Sequence, residues 1–338
     1  MAFDTQEQAV VVRLLQPSDE TVVIDLLQEV FGVWPKDCKD LSPAEFFRWK
    51  HMSGPLGPST SLVAEADGAV VAYVGCMPWQ LSAHGKILKT VRGVDIAVRP
   101  EYRRRGISSL LIRAAVKQCS EEVAFIWSNP NELSRPSLFK QGHRQINTVP
   151  RYLGWGGSPR QTIHRLRAGA QAVVNEPPID APTAAAVLAG GRYAALLEGA
   201  RVPTGRLATV KDEAYLQWRY GQSEVYRAVT LERGADLAGM AIFWVRRRGR
   251  LWISQVCELF VEHGDWGAAR KLLSRVRGAS AADLISCNFG SRSQGIRCGF
   301  VQWPPGTVLS MNLLRDDVIP DPRLPSSWAL SLGDLDII

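Results

Sequence analysis

The sequence predicts an α/β protein of the α+β kind, a mixed sheet with packed helices, built as two similar units in tandem. Three observations predict it. A strand-like run, Val94-Asp95-Ile96-Ala97-Val98, passes through the basic turn Arg103-Arg104-Arg105-Gly106 straight into an amphipathic helix, Ile107–Val116. The first half reads strand, two helices, three strands, helix, strand, helix, which is the pattern of a mixed α/β layer. The second half repeats much of that order after a stretch rich in Ala, Pro and Gly. At 338 residues the chain is long enough for two domains. The expected division is 1–166, a linker over 167–205, a second domain over 206–318, and a loosely attached tail over 319–338.

The elements follow in order. Val10–Leu15 reads as a first strand, closed by Pro17, and Asp19 is a candidate N-cap for a helix carrying Val23, Leu26, Leu27, Val30 and Phe31. Ser42-Pro43-Ala44-Glu45 has the spacing of a capping box and starts a helix through Phe46, Phe47 and Trp49. Asp67-Gly68 between Ser61–Ala66 and Val70–Pro78 is a hairpin signal, and His84-Gly85 marks the turn before the strand that carries Asp95. Val123–Ser128 reads as a buried strand and Asn131–Gln141 as a helix ended by Gly142.

Glu176-Pro177-Pro178 and Gly190-Gly191 mark the linker, with one helix near Ala184–Leu188. Beyond it, Tyr215-Leu216-Gln217-Trp218-Arg219 echoes Phe46-Phe47-Arg48-Trp49-Lys50. Two strands flank Gly234, and Arg246-Arg247-Arg248-Gly249 reads as another hairpin turn. Leu251–Phe260 leads through Gly264 to a helix over Ala268–Val276. Ile285-Ser286-Cys287-Asn288 then matches Ile126-Trp127-Ser128-Asn129.

The first amides of a helix have no earlier carbonyl to bind, and the helix dipole lies behind them. The corner at 103–108 is therefore suited to an anion such as a phosphate, with Gly106 permitting close approach and Arg103, Arg104 and Arg105 adding charge. Its pattern, Arg103-x-x-Gly106-x-Ser108, resembles the pyrophosphate loop (Q/R-x-x-G-x-G/A) of the GNAT superfamily of N-acyltransferases, with Ser108 where Gly or Ala is usual. The resemblance implies two GNAT-like domains in tandem, with acetyl-CoA or another acyl-CoA as co-substrate. It implies a cofactor site formed by Ile96, Ala97, Val98, Arg103, Arg104, Arg105, Gly106, Ile107 and Ser108. In the second unit Glu262-His263-Gly264-Asp265 replaces the arginines, and Asp265 would repel a diphosphate. That unit is expected to be a degenerate copy, closing an acceptor pocket or mediating oligomerisation, with a homodimer possible.

Acyl transfer to an amine needs a neutral amine, an aligned carbonyl and a proton for the leaving thiolate. By resemblance, the strand Val94–Val98 lies along the pantetheine arm, and an amide of Ile96, Ala97 or Val98, with Ala97 chosen here, polarises the thioester oxygen. Strand alternation puts Gly93, Asp95 and Ala97 on one face. Asp95, the odd acid in an apolar strand, is either the base for the incoming amine or a carboxylate paired with Arg92 or a loop amide. Family members often carry N-x6-Y-x3-G after the fifth strand. Here Asn131 and Gly142 are in place but Leu138 stands at the tyrosine. Asn131 either contacts pantetheine or caps a helix, and the general acid is open, with Tyr102, Tyr152 and His143 as candidates. Trp34, Trp49, Trp79, Trp127 and Trp155 are either core or pocket lining.

Composition excludes several classes. Hydrophobic residues make up 46% and charged residues 22%, as in folded soluble proteins, and no apolar run is long enough to span a bilayer. The polar start does not read as a secretory signal, so a cytoplasmic location is expected, with no membrane partner. Six cysteines lack a C-x-x-C pair and five histidines lack i, i+4 pairing, so no metal is expected. The net charge of +7 is dispersed apart from two arginine clusters, and no nucleic-acid motif appears. The expected function is transfer of an acetyl or short acyl group, not an aminoacyl group, to a primary amine of a small molecule or amino sugar. The alternative is a non-catalytic acyl-CoA sensor. The Trp49-Lys50 and Trp218-Arg219 helices and the Pro130-Asn131-x-x-Ser134 segment look like those of bacterial small-molecule or polysaccharide-pathway acetyltransferases.

Overall fold

A computed structural model describes residues 10–38, 40–167, 176–200 and 205–335. The polar start, parts of the expected linker (168–175 and 201–204) and the end of the expected tail (336–338) lie outside the described residues. The chain begins β1 (Val11–Leu14), α1 (Glu20–Phe31), α2 (Pro43–His51), β2 (Thr60–Ala66), β3 (Ala69–Ala83), β4 (Lys86–Val98), α3 (Ile107–Cys119), β5 (Phe125–Ser128), α4 (Arg135–Lys140) and β6 (Arg144–Trp155). It continues α5 (Pro159–Arg167), α6 (Ala184–Ala189), α7 (Ala194–Ala200), β7 (Ala208–Thr209), α8 (Glu213–Tyr220), β8 (Arg227–Arg233), β9 (Asp236–Arg248) and β10 (Leu251–Val261). It ends α9 (Trp266–Ala279), β11 (Leu284–Cys287), α10 (Arg292–Arg297), β12 (Val301–Leu313) and α11 (Leu332–Leu335).

Two compact units divide the chain, though not at the expected boundaries. Unit 1 comprises Met1–Asn147 and Val308–Ser327, and unit 2 comprises Thr148–Thr307 and Trp328–Ile338.

The sheet of unit 1 runs β1-β2-β3-β4-β5 and then residues 308–313 of β12; β4 and β5 are parallel and the other neighbours antiparallel. Local chemistry explains its tight corners. Asp67 and Gly68 both take positive φ (52° and 76°), as do His84 and Gly85 (50° and 73°). Two consecutive left-handed residues match the twist of the flanking strands, which is what a two-residue hairpin needs. Ser42 accepts from the Glu45 amide while the Glu45 carboxylate accepts from the Ser42 amide, so the expected capping box starts α2. Ile107, Leu111 and Ala115 share one face of α3 and pack on Leu62, Val74, Val91 and Ile126 of the sheet.

Unit 2 has a similar strand order, without a counterpart of β1. Its sheet runs β8-β9-β10-β11 and then residues 148–155 of β6, with β10 and β11 parallel and β6 antiparallel to β11. Ala268, Leu272, Leu273 and Val276 of α9 pack with Phe243, Val256 and Ile285.

The final strand of each sheet therefore comes from the opposite part of the sequence. In unit 1, Ser310 pairs with Ser128 and Leu313 with Phe125. Asn129 Nδ2 donates to the Val308 carbonyl, Asn312 Nδ2 to that of Gln141, and Leu314 N–H to that of Ala124. Leu314 also packs on the core of unit 1.

The tail expected over 319–338 is not loose. Residues up to 327 belong to unit 1, and Leu332, Gly333, Asp334 and Leu335 are buried in unit 2. Lys211 Nζ lies 3.2 Å from Asp334 Oδ2 and 2.6 Å from Glu258 Oε2, so a buried charge cluster clamps α11. The expected linker is likewise structured where described: Thr183 caps α6, and Leu188, Tyr193 and Leu196 are buried. Among the described residues, no helix is long and apolar enough to cross a membrane.

Candidate active site

In unit 1, the strands β4 and β5 register at Val91–Ile126 and Arg92–Trp127. β5 ends at Ser128 while β4 runs on to Val98, so beyond Arg92 the facing edge of β4 opens. Arg92 fastens the point where they part. Its guanidinium lies over the rings of Trp127 (4.9 Å) and Trp79 (5.5 Å) and donates to Asn129 Oδ1 at 3.1 Å.

The opening coincides with a bulge. Gly75 pairs with Val94 and Tyr73 with Ala97, so Asp95 and Ile96 together oppose Val74. Asp95 takes φ 51°. A bulge leaves its extra residue outside the ladder and breaks the two-residue alternation. The alternation expected across 93–97 therefore does not hold, and the peptide groups around Ile96 are re-aimed.

Asp95 is paired, but with neither Arg92 nor a loop amide. Lys50 Nζ lies 3.0 Å from its Oδ1 and 2.8 Å from its Oδ2, and His51 Nε2 lies 3.0 Å from Oδ2. Both partners come from the last residues of α2. Burial opposes the charge on Asp95, but Lys50 and the His51 hydrogen bond outweigh it and hold the carboxyl well below the usual carboxylate range. A carboxylate so held has little affinity for a proton, which counts against Asp95 as the base. The sequence does not announce His51, which follows the apolar positions Phe46, Phe47 and Trp49 and reads as the end of a core helix.

Past Val98 the chain makes a short 3₁₀ turn at Pro100–Tyr102 and enters the basic corner. Arg104 (φ 63°) and Gly106 (φ 79°) are both left-handed, and Gly106 is the N-cap of α3. A pair of left-handed residues at a helix start makes a concave set of amides that suits an anion. A Cβ added at Gly106 would meet nothing within 4 Å, so the glycine is required by its φ and stands beside open space. Arg103, Arg104 and Arg105 are exposed there; Arg103 Nε donates to the Val98 carbonyl, and the Arg105 guanidinium lies 5.1 Å from the Tyr102 ring centre. Ile107 is buried as the first contact of α3 with the core, and the Ser108 hydroxyl lies 2.7 Å from that of Ser137 on α4. The structure thus brings Ile96, Ala97, Val98 and residues 103–108 onto one continuous strand-to-helix corner.

Asn131 takes the capping role: its Oδ1 accepts from the amides of Leu133 (3.0 Å) and Ser134 (2.9 Å) ahead of α4. Leu138 faces the core, and Phe139 is 38% exposed; neither can carry a proton. His143 is buried, its Nδ1 has no hydrogen-bond partner among the described residues, and burial pushes its pKa down to about 4. It is neutral near pH 7 and poor as an acid. Tyr152 belongs to unit 2, where its ring meets Phe289. Trp34, Trp49, Trp79 and Trp127 are core residues, whereas Trp155 is half exposed in unit 2.

The corresponding corner of unit 2 is filled by its own side chain. Asp265 Oδ1 accepts from the Ala268 amide at 2.8 Å, capping α9 where unit 1 leaves a glycine.

Residues 11–134 match the family model described as the acetyltransferase (GNAT) domain. Three solved structures share the fold over most of the chain. A probable N-acyltransferase of unknown function from Enterococcus faecalis aligns with TM-score 0.64 and 14% identity, covering 90% of this chain and 73% of its own. GCN5-related N-acetyltransferases from Anabaena variabilis (TM-score 0.65, 12% identity, 91% and 73% covered) and Kribbella flavida (0.58, 17%, 90% and 71%) align similarly. No curated protein matches the sequence. The family match thus covers residues 11–134, and the solved structures share the fold of the chain.

Proposed function

From the GNAT domain of residues 11–134, we propose that this protein moves an acetyl or other short acyl group from coenzyme A to a primary amine of a small molecule or amino sugar. The observation that carries the proposal is the corner at 103–108. Two left-handed residues and a helix start present amides and guanidinium groups beside open space, at the end of a strand whose edge is free of its neighbour. A diphosphate fits the amides and the arginines. The pantetheine arm fits the open edge of β4, whose peptide groups need partners once β5 has parted from it.

The amine nitrogen attacks the thioester carbon while an amide at Ile96 or Ala97 donates to the carbonyl oxygen as negative charge develops there. The C–S bond then breaks, and the thiolate takes its proton from solvent, since Leu138 offers none. The amine arrives neutral or loses its proton to water. The tandem arrangement is part of the proposal: unit 2 has a similar strand order, but Asp265 fills its corner, so one acyl-CoA binds per chain.

Calorimetry with acetyl-CoA tests the site. The wild type should bind one equivalent, and Gly106→Glu should weaken binding at least a hundredfold, because a carboxylate opposes the diphosphate and the position requires positive φ. Equal affinity in the variant would remove the corner from the argument. Thiol release across a panel of primary amines tests the reaction. Leu138 at the usual tyrosine position favours a second reading, an acyl-CoA sensor, which binding without turnover of any amine would select.

A further inference from the structure

We propose that Lys50 and His51 are positioning residues for acyl transfer, acting through Asp95: they draw its carboxylate inward and lock the bulge that aims the peptide groups of Ile96 and Ala97 at the thioester. The proposal rests on the transferase reading above.

Left-handed backbone at a residue with a side chain must be held by its surroundings. At Asp95 the restraint is a built cluster. The Lys50 and His51 side chains are 4% and 1% exposed, and the Asp95 side chain is 12% exposed. Each of the two donors reaches the carboxylate within 3.0 Å. Lys50 Nζ also lies 5.6 Å from the Phe46 ring centre. His51 is set between Phe47 and Tyr73, with ring centres 4.9 and 5.7 Å away. A Cβ at Gly75 would fall 2.6 Å from His51 Cε1, so β3 gives up a side chain where the imidazole passes.

The proton positions follow from the partners. Burial pushes the His51 pKa down, so the ring is neutral, and the ionised Asp95 requires the ring hydrogen on Nε2. Nδ1 then accepts from the Ser59 hydroxyl at 3.2 Å. The ring is a fixed donor to Asp95. It is too enclosed to meet an amine, which separates this role from that of a base.

Charge gives the second reason. The amide that polarises the thioester belongs to one of the next two residues, and an unpaired carboxylate beside it would oppose the oxyanion. Lys50 cancels that charge, so the bulge keeps its acid as an anchor without the repulsion.

The test is the carbonyl stretch of acetyl-CoA, labelled with ¹³C at the carbonyl, bound to the full chain. Binding to the wild type should move the band to lower frequency. Lys50→Met and His51→Leu should at least halve that shift and lower kcat about tenfold or more, with KM for acetyl-CoA changed by less than about threefold, since the diphosphate corner is elsewhere on the chain. Lys50→Arg and His51→Gln keep a donor and should restore most of the shift. Should Lys50→Met fail to fold, the His51→Leu and His51→Gln pair carries the same comparison. Bound acetyl-CoA with the same band in wild type, Lys50→Met and His51→Leu would overturn this proposal alone. A wild type that does not bind acetyl-CoA would overturn the transferase reading along with it.

Discussion

His51 and His143 lie inside unit 1, and the loss of water around each ring holds both neutral. The consequence for stability has a definite sign. A histidine that titrates near 6.5 when unfolded but at about 4 when folded binds fewer protons in the native state between those values. Its contribution is therefore complete above about pH 6.5 and is lost as pH falls towards 4. For His143 alone the full effect is of order 3 kcal/mol. His51 adds to it in the same direction, and Asp95 extends the loss below the ordinary carboxylate range. Urea unfolding at pH 7 and pH 4.5 should show a marked fall for the wild type and a smaller one for His143→Leu; equal falls would show that the ring does not carry it. At this scale the sequence marked Asp95 as an acid in an apolar strand but not its partners. Pairing across that distance has no local signature; the nearest clue was two basic side chains, Lys50 and His51, closing a helix with an otherwise apolar face.

Elements with strong local chemistry were readable from a few residues. The capping box at Ser42 and Glu45 and the turns Asp67-Gly68 and His84-Gly85 all formed where their residue types demand. The bulge in β4 was not readable, because Asp95 adopts left-handed backbone without glycine or asparagine to announce it; contacts from α2 hold it there. Asp19 is a related case. It precedes α1 as expected, yet its carboxylate is taken by Arg13, at 3.1 Å from Nη2 to Oδ1, rather than by a helix amide. The dependence of β4 on α2 makes the start of that helix consequential. Ser42→Ala should destabilise the protein by about 1 kcal/mol, measured by chemical denaturation, because the Glu45 amide loses its acceptor. A Ser42→Asp variant, which keeps an acceptor at the cap, should stay within a few tenths of a kcal/mol of the wild type. A change below that size in Ser42→Ala would mean that tertiary packing alone sets the start of α2.

At the scale of the whole chain, the sequence reading named strands in each half but neither β6 nor β12, and it could not say which sheet a strand joins. Residues 308–313 alternate like any half-buried strand, and nothing within them distinguishes β5 of unit 1 as their neighbour. The division at 166 followed from assuming that each unit is contiguous. With Val308–Ser327 assigned to unit 1, a fragment of residues 1–166 lacks the strand beside β5. It would expose the Ser128–Phe125 edge, leave Asn129 without the Val308 carbonyl, and strip Leu314 from the core cluster. An uncovered central edge both costs hydrogen bonds and invites pairing with other chains. The fragment should therefore aggregate or melt without cooperativity. A chain of residues 1–147 joined to 308–327 by a flexible Gly/Ser linker should melt cooperatively, because the missing strand is restored at high effective concentration. Circular dichroism melts and gel filtration of the two fragments decide the matter: cooperative folding of residues 1–166 alone would show that the late strand is dispensable to unit 1, and the exchange of strands would then be incidental to its stability.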